Sequence, residues 1–448
     1  MKGLQFITQQ VAYAPEVQAV FAMAGSSAAD IFDSTDTPVV IDGKRIAPWG
    51  PDNDLPNKIM EKIRANDVVS PNLLFNVQTG YAQGIKPMRR IREGDKVYYV
   101  EAYDDRIEEF FENNDVDGFF LEQVSDMMTF FNVFPEIILS KDGKRITGLR
   151  HLEAIYSRWG AMTGNDKEIQ RHYYAEWQAG SPKNGRLDVT RVLSRYNTVD
   201  HLRGLMTSGC RDRRFVLQVS MPTPGRTYYA FPYWWSIFRS GWYDLSKMLP
   251  AFKKALLTNH LSVRYIVYIS DEFWVEVFHR ENVDDADEEK KKEVMDREIG
   301  RIMEFLSGNN AKGGGLISTK KNVPLGGSKP FEDRFVQIEV LKPGIEGGEF
   351  IEDAEEASNM ISYAMGVHPN LNGATPGKSK GSLGGSDKRE LFNIKQAMMR
   401  PFRDRLLKPL TLIKRYNGWD KDVVFAVPEH IFTTLDESKT GTKTRDNA

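Results

Sequence analysis

The chain has 448 residues, 41% hydrophobic and 27% charged, enough apolar material to bury a real core spread over roughly three domain-sized units. Sixty Lys and Arg against 62 Asp and Glu leave a formal net charge of -2, so no general attraction to nucleic acid is built in, and any DNA contact must be local, transient or weak. Cys210, the one cysteine, excludes an internal disulfide and a thiolate-built metal site and fits folding in a reducing cytoplasm.

The first 25 residues end in small side chains, but Gln9, Gln10, Pro15 and Glu16 interrupt the apolar core that a secretory signal needs. Residues 1–230 read as mixed helix and strand, with short alternating runs at 96–102 and 170–177. Asp142 and Gly143 sit between two runs rich in β-branched residues, the pattern of a hairpin whose turn needs glycine at positive φ. Ahead of it, Phe120, Val124, Met127 and Phe131 fall at helical spacing and predict an amphipathic helix over 119–131.

The character then changes to long helices. The apolar run 228–238 stops at Arg239, short of the ~18 to 20 residues of a bilayer crossing, so no membrane partner is expected. Pro232 suits a first helical turn, and 233–257 reads as one helix of about 40 Å, kinked at Pro250. Residues 262–278 look strand-like. A helix over 284–307 carries Met295, Ile299, Ile302, Met303 and Leu306 on one stripe, and Gly308 closes it. After a glycine-rich, strand-containing passage, 349–365 forms a second patterned helix with an acidic face. A glycine-rich stretch, 367–386, follows, and Asp387 with Glu390 in capping-box position predicts a new helix, which Pro401 and Pro409 bend or divide. Residues 436–448 are polar and read as a loose tail.

Few motifs suggest chemistry. Gly373 to Ser379 resembles a phosphate-binding loop with Lys378 and Ser379 as its last pair, but the pattern puts its first glycine at position 372, where Asn372 stands. The segment also follows a helix, whereas that site needs a strand to aim its amides. His151, His172, His201, His260, His279, His368 and His430 show no i,i+4 pair, so no metal or other cofactor is expected, and structural or surface roles are the default. No nucleophile elbow, paired-carboxylate motif or dinucleotide fingerprint appears. Tyr233, Trp234, Trp235, Phe238, Trp242 and Tyr243 make a broad apolar face, read as core or subunit packing in preference to base stacking. The two long helices differ in sign: Arg239, Lys247, Lys253 and Lys254 on the first, Glu352, Glu355 and Glu356 on the second. They are either two solvated faces or surfaces that meet between neighbouring copies in a ring. Lys378, Lys380, Lys388 and Arg389 in and beside the glycine-rich stretch suit brief phosphate contact.

Four passages, in order, resemble the portal proteins of tailed bacteriophages. PWGPDNDLPNKI (48–59) looks like a signature near the family's N-terminus, and FFNVFPEIILSKDGKRITGLRHLEA is similar to the wing hairpin. The run from FPYWWSIF to YIVYI looks like the first stem helix entering the clip. Gly366-Val367-His368-Pro369, the glycine-rich stretch, and a helix with Phe392 and Pro401 resemble the end of the second stem helix, the tunnel loop and the helix beyond it. The resemblance implies an α+β fold of portal type: a wing from 1–230 completed by 387–435, stem helices 231–258 and 349–366, a clip 259–348, a tunnel loop 367–386, and little or no crown. It implies a non-enzymatic ring, usually of twelve copies, at one capsid vertex of a virion assembled in the bacterial cytoplasm. Double-stranded DNA passes through it, and its other partners are the terminase large subunit, major capsid and scaffolding proteins, and head-tail adaptors. A nucleotide hydrolase using 373–379, or a different ring-forming neck protein, are the alternatives.

Overall fold

The computed structural model describes residues 37–162, 168–259, 265–269, 271–283, 287–306, 349–371 and 385–432, with strands at 5–6, 11–14, 19–23, 320–323, 331–334, 336–340 and 442–445. The fold is α+β and divides into two compact units, one drawn from residues 1–28, 241–357 and 376–378, the other from 29–240, 358–375 and 379–448.

The helices, in chain order, are α1 (Leu55–Arg64), α2 (Val69–Tyr81), α3 (Asp105–Asn113), α4 (Val116–Phe130) and α5 (Thr198–Thr207). They continue with α6 (Trp242–Asn259), α7 (Asp271–Arg280), α8 (Glu288–Leu306) and α9 (Glu349–Ala364). The last three are α10 (Gly385–Met398), α11 (Arg400–Leu406) and α12 (Lys408–Asn417).

The larger unit is built on a seven-stranded sheet in the order Ser157–Trp159, Arg171–Tyr174, Asp188–Val192, Arg214–Val216, Asn132–Leu139, Val219–Ser220, with Ile146–Leu152 also paired to Asn132–Leu139. All ladders are antiparallel except that between Asp188–Val192 and Arg214–Val216. The expected hairpin is there. Gly143 takes φ +72°, and the Asp142 carboxylate accepts from Ser140 Oγ at 2.6 Å and Lys144 N at 3.1 Å, which closes the turn. Strand alternation sends Val133, Ile137 and Leu139 to the face covered by α4, where Phe120, Val124 and Met127 are buried as their spacing predicts. Phe134 and Glu136 go to the opposite face. Glu136 is fully buried and takes hydrogen bonds from Arg150 at 2.9 Å and Arg214 at 2.7 Å.

That second face is closed by the passage 48–59. Arg158 is fully buried with no carboxylate in ion-pair range among the described residues, yet every one of its nitrogens finds an oxygen. Nε donates to Asn53 Oδ1 at 2.8 Å, Nη2 to Asn53 O at 3.0 Å, and Nη1 to Ser157 O at 2.8 Å and Ile155 O at 3.1 Å. The guanidinium lies over the rings of Trp177 and Trp49, at 4.9 and 5.7 Å from their centroids. Burial lowers its pKa to about 10, so it stays charged at neutral pH. Asn53, at φ +58°, also accepts from Trp49 N and donates to Gly180 O, both at 3.0 Å. A Cβ on Gly180 would lie 2.1 Å from Asp52 O, so only glycine fits there. Trp49 stacks on Tyr229 at 4.2 Å, and Tyr229 Oη bridges Trp159 N and Ala47 O. His172, also fully buried, packs beside Phe134 and Trp159 as a core residue, and burial lowers its pKa to about 3.

Several expectations are corrected. The single helix over 233–257 is two elements: a 3-10 turn, Tyr233–Phe238, then Gly241 at φ +84°, then α6. The 3-10 turn forms because Trp234 and Trp235 are anchored under α4, donating their indole N–H groups to Met128 O and Thr129 O at 3.0 and 3.2 Å. Trp234, Trp235 and Phe238 are therefore packing within this unit, Tyr233 is exposed, and Trp242 and Tyr243 belong to α6 in the smaller unit. The strand-like run 262–278 is a strand, Tyr265–Ile269, followed by α7, because Phe273, Trp274, Val277 and Phe278 repeat at helical spacing. Residues 1–230 do not form one body. The strands Gln5–Phe6, Val11–Ala14 and Ala19–Met23 join Tyr265–Ile269 and Val336–Val340 in the smaller unit's five-stranded sheet, its core closed by Trp274, Ile299 and Ile302. In the expected tail, Thr442–Arg445 pairs antiparallel with Glu429–Phe432. Asp387 lies within the first turn of α10 instead of capping it. Pro401 and Pro409 do divide the chain, at the starts of α11 and α12, and among the described residues no helix follows Asn417.

Replacing Asn53 by Ala strips Arg158 of an acceptor and puts a Cβ-only side chain at positive φ. Chemical denaturation should show a loss of about 2–4 kcal/mol.

Candidate functional site

Two buried cations outside the core described above, Lys395 and Arg403, gather near where α9 ends and α10 begins, on either side of segment 372–384. The last turn of α9 closes with Gly366 at φ +64°. Gly366 N donates to Tyr363 O and Val367 N to Ser362 O, both at 2.9 Å, the paired bonds of a Schellman ending. Pro369 then starts a short 3-10 turn, Pro369–Leu371, which packs on α10.

This ending is tied down from two sides. From α2, Asn72 Nδ2 donates to Ser362 Oγ at 2.9 Å and Asn76 Nδ2 to Met365 O at 3.0 Å. From α10, Lys395 Nζ donates to Gly366 O at 2.8 Å. A cation at a helix C-terminus is favoured by the negative end of the macrodipole. Lys395 is buried, and desolvation lowers its pKa to about 8. On α11, eight residues further on, Arg403 is buried too. Its guanidinium donates to Thr79 O at 2.7 Å, Gly80 O at 3.1 Å, Gln396 Oε1 at 2.6 Å and Glu429 Oε1 at 2.7 Å. It thereby joins the end of α2, α10 and the strand Glu429–Phe432. Sequence reasoning missed Lys395 and Arg403, because a lone cation inside an amphipathic helix reads as solvated unless its neighbours are known.

The expected site residues scatter. Lys378, Lys380 and the Gly373–Ser379 pattern lie outside the described residues; a helix, α9, precedes that pattern. Lys388 is exposed on the first turns of α10, and Arg389 Nη2 donates to Ser386 Oγ at 2.9 Å. Glu352 and Glu356 are exposed and Glu355 half-buried on α9, and Lys247 is exposed on α6 with its Nζ 5.5 Å from the Tyr243 ring centroid. None of these three acids, nor Lys247, makes an ion pair within the chain among the described residues. Arg239 is exposed between the 3-10 turn and α6. Lys253 and Lys254 belong to α6, but their side chains lie outside the described residues.

Two helices flanking segment 372–384 show apolar stripes to solvent. On α9 these are Met360 and Tyr363, 39% and 82% exposed; on α10, Ile394 and Met398, 57% and 61%. Each pair sits at i,i+3 or i,i+4 and shares a face.

No protein-family model matches the sequence, and no curated protein matches it. Among solved structures, the chain is similar to one in the neck of an empty gene transfer agent (GTA) particle computed with C6 symmetry, at 13% identity over 83% of this chain and 84% of that chain, TM-score 0.45. It is similar to one in the virion of a native GTA particle at 13% identity over 85% of each chain, TM-score 0.45. A chain in the neck of a native GTA particle computed with C12 symmetry gives 14% identity over 83% of each, TM-score 0.44. The likeness is distant in both sequence and superposition.

Lys395 gives the junction of α9 and α10 a pH signature. Its folded-state pKa of about 8 lies below the ordinary 10.5, so between these values the unfolded chain binds more protons and stability rises with pH. In denaturation at pH 8 and pH 10.5, Lys395→Met should remove from this window a rise on the order of 2–3 kcal/mol.

Proposed function

We propose that this chain is a portal protein, a non-catalytic subunit of a ring at a capsid vertex through which double-stranded DNA is packaged and ejected. One observation carries the reading: the two helices that flank segment 372–384 expose Met360, Tyr363, Ile394 and Met398, and their junction is clamped by Lys395, Asn72 and Asn76. Large side chains shared along one face and left to water call for a partner. A clamped junction gives the segment a fixed point of departure, as a loop that must project toward an axis requires.

On this reading neighbouring copies cover the apolar stripes, α6 and α9 form the stem, residues 259–348 the clip, and 367–386 the tunnel loop. Lys378, Lys380, Lys388 and Arg389 touch phosphate briefly as DNA passes. Some of Glu352, Glu355 and Glu356 face the lumen, where like charge keeps DNA from adhering. The others meet Arg239, Lys247, Lys253 and Lys254 of the adjacent copy. Twelve copies assembled in the bacterial cytoplasm, docked by the terminase large subunit, capsid and scaffolding proteins and head-tail adaptors, complete the assignment. A phosphate-binding loop at 373–379 is not favoured, since its amides would issue from α9 and its clamped turn instead of a strand.

Electron microscopy of the purified protein should show closed rings with a central hole. Replacing Met360, Tyr363, Ile394 and Met398 by Ser should leave circular dichroism unchanged and lower the oligomer fraction at least tenfold. A wild-type chain that stays monomeric at high concentration overturns the reading.

A further inference from the structure

In the larger unit α5 packs alongside α12, and cations collect along the seam. Arg203 on α5 reaches across it, Nη2 donating to Arg415 O on α12 at 3.3 Å. At the other end, Arg195 stands just ahead of α5, while Arg405 and Lys408 lie at the junction of α11 and α12. Partial burial, then the nearby charges of Arg405 and Arg195, lower the Lys408 pKa; burial raises that of Tyr416, with Arg203 and Arg213 opposing the rise and Asp142 adding to it.

These cations are not neutralised. Among the described residues none of Arg195, Arg203, Arg213, Arg405, Lys408 and Arg415 forms an ion pair, whereas on the adjoining sheet Arg150, Arg191 and Arg214 each hold a carboxylate. Asp200 on α5 and Asp404 on α11 are exposed and pair with none of the six. Gathering like charges costs Coulomb energy that water and salt screen in part and a bound anion recovers more fully. In a chain of net charge -2, such a gathering is not an overflow of basic residues.

The form of the strip selects among anions. The ten residues of α12 span about 15 Å, room for two or three successive phosphates of one strand. Five of the six cations are Arg, whose planar fork pairs with phosphate bidentately. An acidic protein segment would call for apolar anchors in pockets. Among the described residues Tyr196 is the one large apolar side chain exposed there, with Arg195 Cζ 5.0 Å from its ring centroid, and a cavity beside it, about 350 Å³, lies at one end of the strip with Glu168 in its wall. Rigid helices presenting cations with few anchors fit a backbone of phosphates.

We propose that the α5 and α12 seam, with Arg195 and Arg405, is a binding surface for the phosphate backbone of nucleic acid. The choice of duplex DNA as its ligand rests on the portal reading.

Fluorescence anisotropy of a labelled 30-base-pair duplex with the full-length protein across a salt series tests it. Replacing Arg195, Arg405 and Lys408 by Gln should flatten the slope of log affinity against log salt by about 2–3, since each neutralised phosphate contributes roughly 0.9. Lys408→Gln alone, at an exposed position, should flatten it by about 1 and keeps the test open if the triple variant misfolds. Arg195→Lys with Arg405→Lys should retain the slope, and Lys378→Gln with Lys380→Gln should leave most of it. The proposal falls if the wild type shows no salt-dependent duplex binding, if the loop variant accounts for the whole slope, or if polyglutamate binds more tightly than the duplex at equal salt. Rings by microscopy with a flat slope would sink this surface and leave the portal reading standing; a steep slope without rings would do the reverse.

Discussion

The carbonyl groups at the end of α9 must be satisfied wherever that helix stops, and how this is done governs the rest of the functional region. Two are taken by the amides of Gly366 and Val367, a third by Asn76, and the Gly366 carbonyl itself by Lys395. Because the donors come from α2 and α10, capping one helix also locks two others to it. A water-capped end would fray.

Buried charge is used repeatedly in the same unit: at Arg158, Arg403 and Glu136 several hydrogen bonds meet it, and at Lys395 one, to Gly366 O. Arg158 is held by carbonyl and amide oxygens between tryptophan rings, Arg403 by three oxygens and Glu429, and Glu136 by two arginines. Desolvating such a group costs several kcal/mol, and only geometry that meets every donor offsets it. Their contribution lies less in net stability than in position, because each one links segments far apart in the chain: 53 with 158, 79 and 80 with 403, 136 with 214. Apolar packing alone tolerates sliding that these directional bonds forbid.

The near-zero net charge conceals a local arrangement. Acids line α9, paired arginines cover the outer face of the seven-stranded sheet, and unpaired cations follow the seam of α5 and α12. Surfaces of opposite sign coexist when they are apart on the chain's surface, and total charge reports on neither.

Hydrophobic period and turn chemistry are local, so the amphipathic α4, the Asp142–Gly143 turn, the Gly366 ending and the proline breaks at α11 and α12 were readable from the letters. The acidic face of α9 was legible for the same reason. Elements whose form depends on a distant partner were not. The 3-10 turn at Tyr233–Phe238 exists because two indoles reach carbonyls at 128 and 129, and the first strands join a sheet whose next strand comes some 240 residues later. Likewise, composition alone gave no sign that Lys395, Arg403 and Arg158 are buried: a cation's environment is set by what the tertiary fold brings against it, and that information is spread over the whole chain.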